Sequence, residues 1–397
     1  MRPSSRFTLT TVFSLLLVFA VGFALLRFVS IPTHAAGKPL RLSPKSGVTS
    51  ASLLSSCGAW TIVPSPNSEA TLSAVAAIST NNVWAVGYGG LIEHWNGVSW
   101  NIVPSSNNVP SDNVLTGVAA ISANNIWAVG YYFVASSDIP QTLIEHWNGV
   151  KWSVIPNPNV GSFENYLNGV TAVSANNIWA VGEYDSSSTL GYQTLIEHWN
   201  GTRWGVVSSP NIGSGYNQLN AVAAVSANNI WAVGEAASAT LIEHWNGTRW
   251  GVVSSPNIGP NSGILNAVAV LSANNVRAVG SQSSSSGSTQ TLIEHWDGTT
   301  WSAIKSANVS ENNSLYGVVA ISVNNVWAVG DYYSANWQTL IEHWNGVNWN
   351  VIPSPNVASS NNIISGAAKV PGTSTIWAVG YSIDSSSTSH SLIEFYC

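Results

Sequence analysis

A Glu-His pair recurs along this 397-residue chain and is the first arrangement in it that could do chemistry. It stands at Glu93-His94, Glu145-His146, Glu197-His198, Glu243-His244, Glu294-His295 and Glu342-His343, and Glu394 stands alone in a seventh copy. A carboxylate beside an imidazole is what general acid–base catalysis or a metal centre would draw on. Repetition argues against both. If each copy lies on the third strand of one sheet in a ring, strands about 4.8 Å apart put it roughly 15 Å from the axis, with equivalent residues on the order of 13 Å apart. That is too far to share a metal ion. The pair is therefore expected to be structural, satisfying backbone or indole N–H donors between sheets, and neither a metal nor another cofactor is expected.

The elements that position this pair repeat with it. Asn82-Val83-Trp84-Ala85-Val86-Gly87 is followed by Leu91-Ile92-Glu93-His94-Trp95-Asn96-Gly97 and then by Trp100, and the unit returns at Trp127, Trp179, Trp231, Arg277, Trp327 and Trp377. Seven copies of roughly 43 to 52 residues outrank any local reading. Short apolar runs such as Leu72–Ile78 and Val83–Gly87, separated by Ser79-Thr80-Asn81-Asn82, read as two strands of a hairpin. Leu91–Trp95 is a third strand, Asn96-Gly97 predicts a tight two-residue turn with both residues at positive φ, and a fourth strand begins near Trp100. Four short antiparallel strands, apolar on both faces and repeated seven times, predict an all-β, seven-bladed β-propeller. Trp84, Glu93, His94, Trp95 and Trp100 are its structural repeat. The Ala- and Gly-rich first strand suits the crowded innermost position.

The seventh unit ends at Leu392–Cys397 without a fourth strand, and the missing strand is at the other end of the chain. Trp60 to Asn67 matches Trp349 to Asn356, so the N-terminal segment is expected to complete the last blade and close the ring over residues 57–397. In that register Cys397 falls where Asn96 sits and Cys57 where Gly97 sits. The two cysteines therefore meet where a continuous chain would turn, which predicts a Cys57–Cys397 disulfide suited to an oxidising compartment.

Arg2 and Arg6 precede an uncharged, mostly apolar run from Phe7 to Leu26, and Thr33-His34-Ala35 follows. Residues 1–36 read as a secretory signal, with a retained N-terminal membrane anchor as the alternative, and residues 37–56 as a flexible linker. A secreted chain, or one held on the outer face of the cell membrane, is expected either way. Charged residues make up 8% of the sequence and the net charge is −6, so nucleic acid is not an expected partner. Contact with a membrane is expected only through the N-terminal segment, and the chain is expected to be a monomer.

Function should lie in what the repeat does not dictate. The connection between the second and third strands varies most in length, and of 20 Trp only Trp337 falls outside the repeat, in the variable stretch Asp331–Trp337. Tyr332, Tyr333, Tyr131, Tyr132, Tyr184, Tyr192 and Tyr381 occupy equivalent stretches. Aromatic faces beside amides and hydroxyls suit sugar rings and suit a protein partner equally. The alternative is that they cap the blade tops. Glu183, Asp185, Glu235, Asp331 and Asp384 lie in the same stretches, where two could form a carboxylate pair for polysaccharide cleavage. Arg277, standing where six units have Trp, reads as drift with a side chain snorkelling to solvent.

At Trp84-Ala85-Val86-Gly87, Ile92, Gly97 and Trp100 the unit resembles the repeats of bacterial secreted WAVG-type propellers, akin to the photosystem-assembly-factor-like and BNR/sialidase-like groups. The resemblance covers residues 57–397 and implies the architecture, whereas the activities of these groups diverge. Glu93 and Trp95 occupy the first and third positions of the BNR group's Asp box, so the box itself is absent, and no arginine trio converges. An extracellular, non-catalytic binding or scaffold propeller for glycans or cell-surface partners is the expected function, with a polysaccharide-cleaving enzyme as the alternative.

Overall fold

The computed structural model describes residues 57–397 apart from 67–68, 107–112, 186–190, 214, 257–262 and 358–359. The expected signal or anchor (1–36) and linker (37–56) lie outside the described residues. The protein is a seven-bladed β-propeller. Blade 1 comprises Leu72–Ser79, Asn82–Gly87, Ile92–Trp95 and Trp100–Ile102, and blades 2 to 6 repeat that order. Blade 7 takes Asn361–Lys369, Ile376–Ile383 and Ser389–Tyr396 from the C-terminus and Thr61–Ile62 from the N-terminal side. Thr61 pairs with Phe395 and Ile62 with Glu394, and the backbone N–H of Gly58 donates to the Cys397 carbonyl at 3.0 Å. A disulfide joins Cys57 to Cys397, with Cα atoms 4.8 Å apart.

The first strands contact one another in a closed ring and so line the axis. Each of the seven blades carries a bulge there, such as the shift between Leu167 and Gly169 that leaves Asn168 out of the strand pairing. The bulge explains the last residue of Trp-Ala-Val-Gly. A Cβ on Gly182 would lie 2.0 Å from the Tyr166 carbonyl oxygen, and one on Gly130 would lie 1.9 Å from that of Val114. Only glycine tolerates so close a backbone approach.

Seven apolar clusters fill the seven gaps between blades, each drawing on both neighbours. In the first gap Trp84 lies on the His94 ring at 4.3 Å, meets Trp147 of blade 2 at 5.0 Å, and stands edge-to-face with Trp152 at 5.6 Å. Trp179, His198, Trp245 and Trp250 repeat this between blades 3 and 4. Asn82 Oδ1 accepts from Trp84 Nε1 at 2.7 Å and pairs with His94 Nε2 at 3.0 Å, which satisfies the imidazole within its own blade.

The repeat glutamates are fully buried, and a hydroxyl or amide of the preceding blade reaches six of them. Ser209 Oγ donates to Glu243 Oε2 at 2.8 Å while also pairing with Thr194 Oγ1 of its own blade at 2.8 Å. Ser65, Ser105, Asn157, Ser255 and Ser306 serve Glu93, Glu145, Glu197, Glu294 and Glu342 in the same way. Of the expected donors, backbone N–H groups reach Glu145 from Ser106 and Glu342 from Ala307, while the indoles are replaced by hydroxyls and the Asn157 amide, because the segment leaving each fourth strand passes over the next blade. Glu394 is the exception, with neither oxygen bonded. Burial pushes Glu197, Glu243 and Glu394 up to about 8 and Glu294 and Glu342 up to about 7.

Three expectations need correction. The Asn-Gly turn is a four-residue loop in which Gly97 alone has positive φ. The Asn96 side chain accepts from the backbone N–H of Val98 and Ser99, and this replaces the second left-handed residue. The variable stretches are largely strand: Tyr131, Tyr132 and Phe133 pair with Thr142, Gln141 and Pro140, and Tyr333 pairs with Trp337. Arg277 does not snorkel. It is 4% exposed, fills the tryptophan slot with its guanidinium 5.0 Å from the Trp344 ring, and leaves Nε and Nη1 without partners. Burial lowers it to about 10, and Asn275 Oδ1 and His295 Nε2, which pair in other blades, are unpaired here.

Candidate functional site

Antiparallel strands sort the connections by side. Turns between strands 1 and 2 and between strands 3 and 4 lie on one side, here called lower, and the remaining connections lie on the upper side. Residues beyond the Trp-Ala-Val-Gly glycine belong to the upper side and escape the repeat. That position holds Tyr88, Tyr131, Glu183, Glu235, Ser281, Asp331 and Tyr381 in successive blades.

Beneath it, the bulged residue of the first strand ties neighbouring blades together. Thr116 Oγ1 donates to the Leu167 carbonyl at 2.6 Å, Asn168 Nδ2 to that of Leu219 at 3.0 Å, Asn220 to Leu265 at 2.9 Å and Asn266 to Leu315 at 2.9 Å. A bulge re-aims a side chain. Here it turns an axis-lining residue into an inter-blade strut.

On these struts stands a ribbon of aromatic rings across blades 2 to 4. Phe133 meets Tyr131 at 5.7 Å, Tyr131 meets Tyr166 at 4.9 Å, Tyr166 meets Tyr192 at 6.5 Å, and Tyr192 meets Tyr216 at 5.2 Å. Internal hydrogen bonds fix the rings. Tyr166 donates to Glu164 Oε2 at 2.9 Å, Tyr192 donates to the same oxygen, and Tyr216 donates to Gln218. Carboxyls accompany them. Asn168 Nδ2 donates to Glu183 Oε2 at 2.6 Å, and Gln218 Nε2 donates to Glu235 Oε1 at 3.3 Å. Glu183 is 8% exposed, and burial, reinforced by the charges of Glu235 and Glu164, pushes it up to about 8.

A second cluster lies in blades 6 and 7. The bulged residue there is Tyr316, whose hydroxyl sits against Asp331 and Ser314 rather than serving as a short strut. Asp331 is 3% exposed with Oδ1 unpartnered, and burial pushes it up to about 8. Tyr381 stands close enough for the Asp331 charge to raise its own phenol. On the rim of blade 1, where the second hairpin is shortest, lies an open concavity of about 500 Å³ lined by Tyr88, Leu91, Ile92, Ile102 and Pro104.

The eight candidate aromatics thus divide. Tyr131 and Tyr192 join the ribbon, Tyr381 joins the Asp331 cluster, and Trp337 pairs with Tyr333 at 5.3 Å. Tyr132, Tyr184 and Tyr332 turn down onto the inter-blade cores. Tyr166, Tyr216, Glu164 and Tyr316 were missed because they belong to first strands or the connections before them. The available signal was a tyrosine beside the first-strand leucine, as in Tyr166-Leu167 and Leu315-Tyr316. Asp384, a candidate acid, caps its own turn and pairs with His390 at 2.9 Å, which holds its carboxyl well below the usual range.

No protein-family model matches the chain, and no curated protein matches it. Solved structures do. YCF48 bound to D1 peptide is 14% identical, with a TM-score of 0.55 over 86% of this chain and 98% of that one. An ulvan lyase of polysaccharide lyase family PL25 is 9% identical, with a TM-score of 0.55 over 84% of this chain and 95% of that one. The GH74 xyloglucanase of Xanthomonas campestris is 12% identical, with a TM-score of 0.54 over 81% of this chain and 53% of that one. At such identities the likeness establishes the fold alone. Peptide-bound and polysaccharide-degrading proteins share it.

Proposed function

We propose that the protein is an exported, non-catalytic binding or scaffold propeller of the bacterial secreted WAVG-repeat kind, recognising an extracellular glycan or polypeptide with its upper face. The observation that carries this reading is the tyrosine ribbon. Four tyrosine rings from three blades, half-buried or exposed, with Tyr166, Tyr192 and Tyr216 held by their own hydroxyls and Tyr131 by its ring contacts with Phe133 and Tyr166, offer a preorganised surface at small entropic cost. Tyr333 and Trp337 would extend recognition to blade 6. Solved propellers of this shape engage a peptide in one case and a sulfated polysaccharide in another.

Glycan and peptide arrays probed with the wild type, Tyr192→Ala and Trp337→Ala test the reading. Loss of a specific signal on substitution supports it, and absence of any signal, or one that both variants keep, rejects it. The raised carboxyls of Glu183 and Asp331 favour a second reading, because an acid still protonated near neutral pH can donate to a leaving group. Product release from polysaccharides that Asp331→Asn or Glu183→Gln abolishes would replace the binding reading with cleavage.

A further inference from the structure

The gap between blades 5 and 6 differs from its sisters at its lower end. In blades 1, 2, 3 and 6 one asparagine side-chain oxygen serves two donors, the second-strand indole at 2.7 to 2.8 Å and the third-strand imidazole at 2.9 to 3.0 Å. Blade 5 has Arg277 in place of the indole. Asn275 lies two residues before it on the same strand face, and His295 pairs directly across from it. Yet Asn275 Oδ1, His295 Nε2, Arg277 Nε and Arg277 Nη1 are all buried without partners. Trp152, Trp204, Trp250 and Trp301 each stand edge-to-face with a second-strand tryptophan of the preceding blade. Their equivalent in blade 6, Trp349, has Arg277 in that place, and its indole N–H is buried without an acceptor.

Among the described residues no carboxylate answers this guanidinium. Glu342 faces the same gap but takes the Ser306 hydroxyl and the Ala307 N–H, and burial holds it toward the neutral form. Asp297 accepts the turn N–H groups of Thr299 and Thr300. Burial lowers Arg277 only to about 10, so it keeps its charge at neutral pH. The Trp344 ring 5.0 Å away offsets part of that charge, and the remainder is costly unless an anion meets it. We propose that Arg277, His295 and Trp349 bind a small monovalent anion of the halide class in the lower part of this gap. One negative charge matches one guanidinium, and the imidazole and indole N–H groups complete the donor set. An arginine side chain is smaller than the indole it replaces by an amount on the order of one water molecule's share of liquid volume, about 30 Å³. A dianion such as sulfate is larger, leaves one charge unmatched, and pays a steeper desolvation cost between walls of indole.

Thermal unfolding of the full chain in sodium chloride and in sodium sulfate at matched ionic strength, beside Arg277→Trp and Arg277→Met, tests the site. Both variants lack the charge, so subtracting their response removes general salt effects. Chloride at ten times its dissociation constant multiplies the folding equilibrium about elevenfold, and the wild-type midpoint is expected to gain about 2 °C on both variants and then to saturate. Sulfate should give the wild type no such gain. Crystals grown with bromide should show its anomalous signal beside Arg277 in the wild type and none there in Arg277→Trp. Arg277→Trp rebuilds the stack of the other blades, so a failure to fold cannot pass for loss of the site. The proposal is overturned if chloride moves wild type and variants alike, if sulfate favours the wild type as much as chloride does, or if no bromide lies in the gap.

Discussion

Replacing Cys57 and Cys397 together with serine opens the ring at its only covalent seam. The bridge closes a loop spanning 340 positions, for which the chain-entropy relation gives about 6 kcal/mol, an upper figure for real bridges. What remains to hold the N-terminal strand is short. Thr61–Ile62 is two residues long, its flanks add the Gly58 and Val63 backbone bonds, and buried Trp60 and Val63 supply the apolar anchor. Burying one tryptophan side chain of roughly 200 Å² is worth about 5 kcal/mol, so the strand should stay docked while fraying. Unfolding in urea followed by tryptophan fluorescence is the assay. A loss of about 3 to 6 kcal/mol with a slope near 3 kcal/mol/M lowers the midpoint by about 1 to 2 M. Amides of Gly58 to Val63 should exchange faster than those of other fourth strands. Reducing the wild type should reproduce the double variant. An unchanged midpoint after verified loss of the bridge would refute the closure argument.

Other substitutions probe the gaps between blades. Arg277→Trp restores the indole stack on Trp344 and the partner for Asn275, and should raise unfolding free energy by about 1 to 3 kcal/mol; a drop in thermal midpoint would mean the arginine is needed where it stands. Ser209→Ala removes the donor to Glu243 and should cost about 1 to 3 kcal/mol by thermal denaturation, whereas Ser302→Ala on the exposed fourth strand of blade 5 should cost almost nothing. The buried glutamates also set a pH dependence. Their folded values lie above the unfolded 4.5, so their stabilisation is complete below that value and is lost as pH rises through about 7 to 8. Urea midpoints should therefore fall from pH 5 to pH 9. Asp297, lowered to about 2 by the turn hydrogen bonds of Thr299 and Thr300, adds the opposite slope only below about pH 4. A midpoint that rises toward pH 9 would contradict the glutamate account.

The architecture was legible because it is written seven times. Trp-Ala-Val-Gly, the register of Trp60 against Trp349 and the coincidence of two cysteines needed no coordinates. The partners were less legible. A Glu on the third strand of one blade meets a Ser that left the fourth strand of the previous one, and a spacing of 34 residues between Ser209 and Glu243 announces nothing locally. Nor does the sequence reveal that a single bulge swings Asn168 toward Leu219. The ribbon was half visible for the same reason: Tyr131 and Tyr192 stood out as departures from the repeat in the variable hairpin, while Tyr166 and Tyr216 became its neighbours only when blades were stacked. Arg277 misled because a lone charge on a β-strand ordinarily reaches water, and here the slot between two blades was already built to the size of an indole.

The blade assembled from both ends imposes an order in time. Cys57 leaves the ribosome long before Cys397, and at about 5 to 20 residues per second the wait is roughly 20 to 70 s. Throughout it, Thr61–Ile62 has no strand to pair with, Trp60 has no Trp327 or Tyr396 to pack on, and the Cys57 thiol has no mate. Six blades can stack in sequence as they are made, but the seventh is the last act of folding. A chain cut short by a few residues should therefore leave Thr61–Ile62 and Trp60 without their partners at Glu394, Phe395 and Tyr396, so that blade 7 lacks its outer edge.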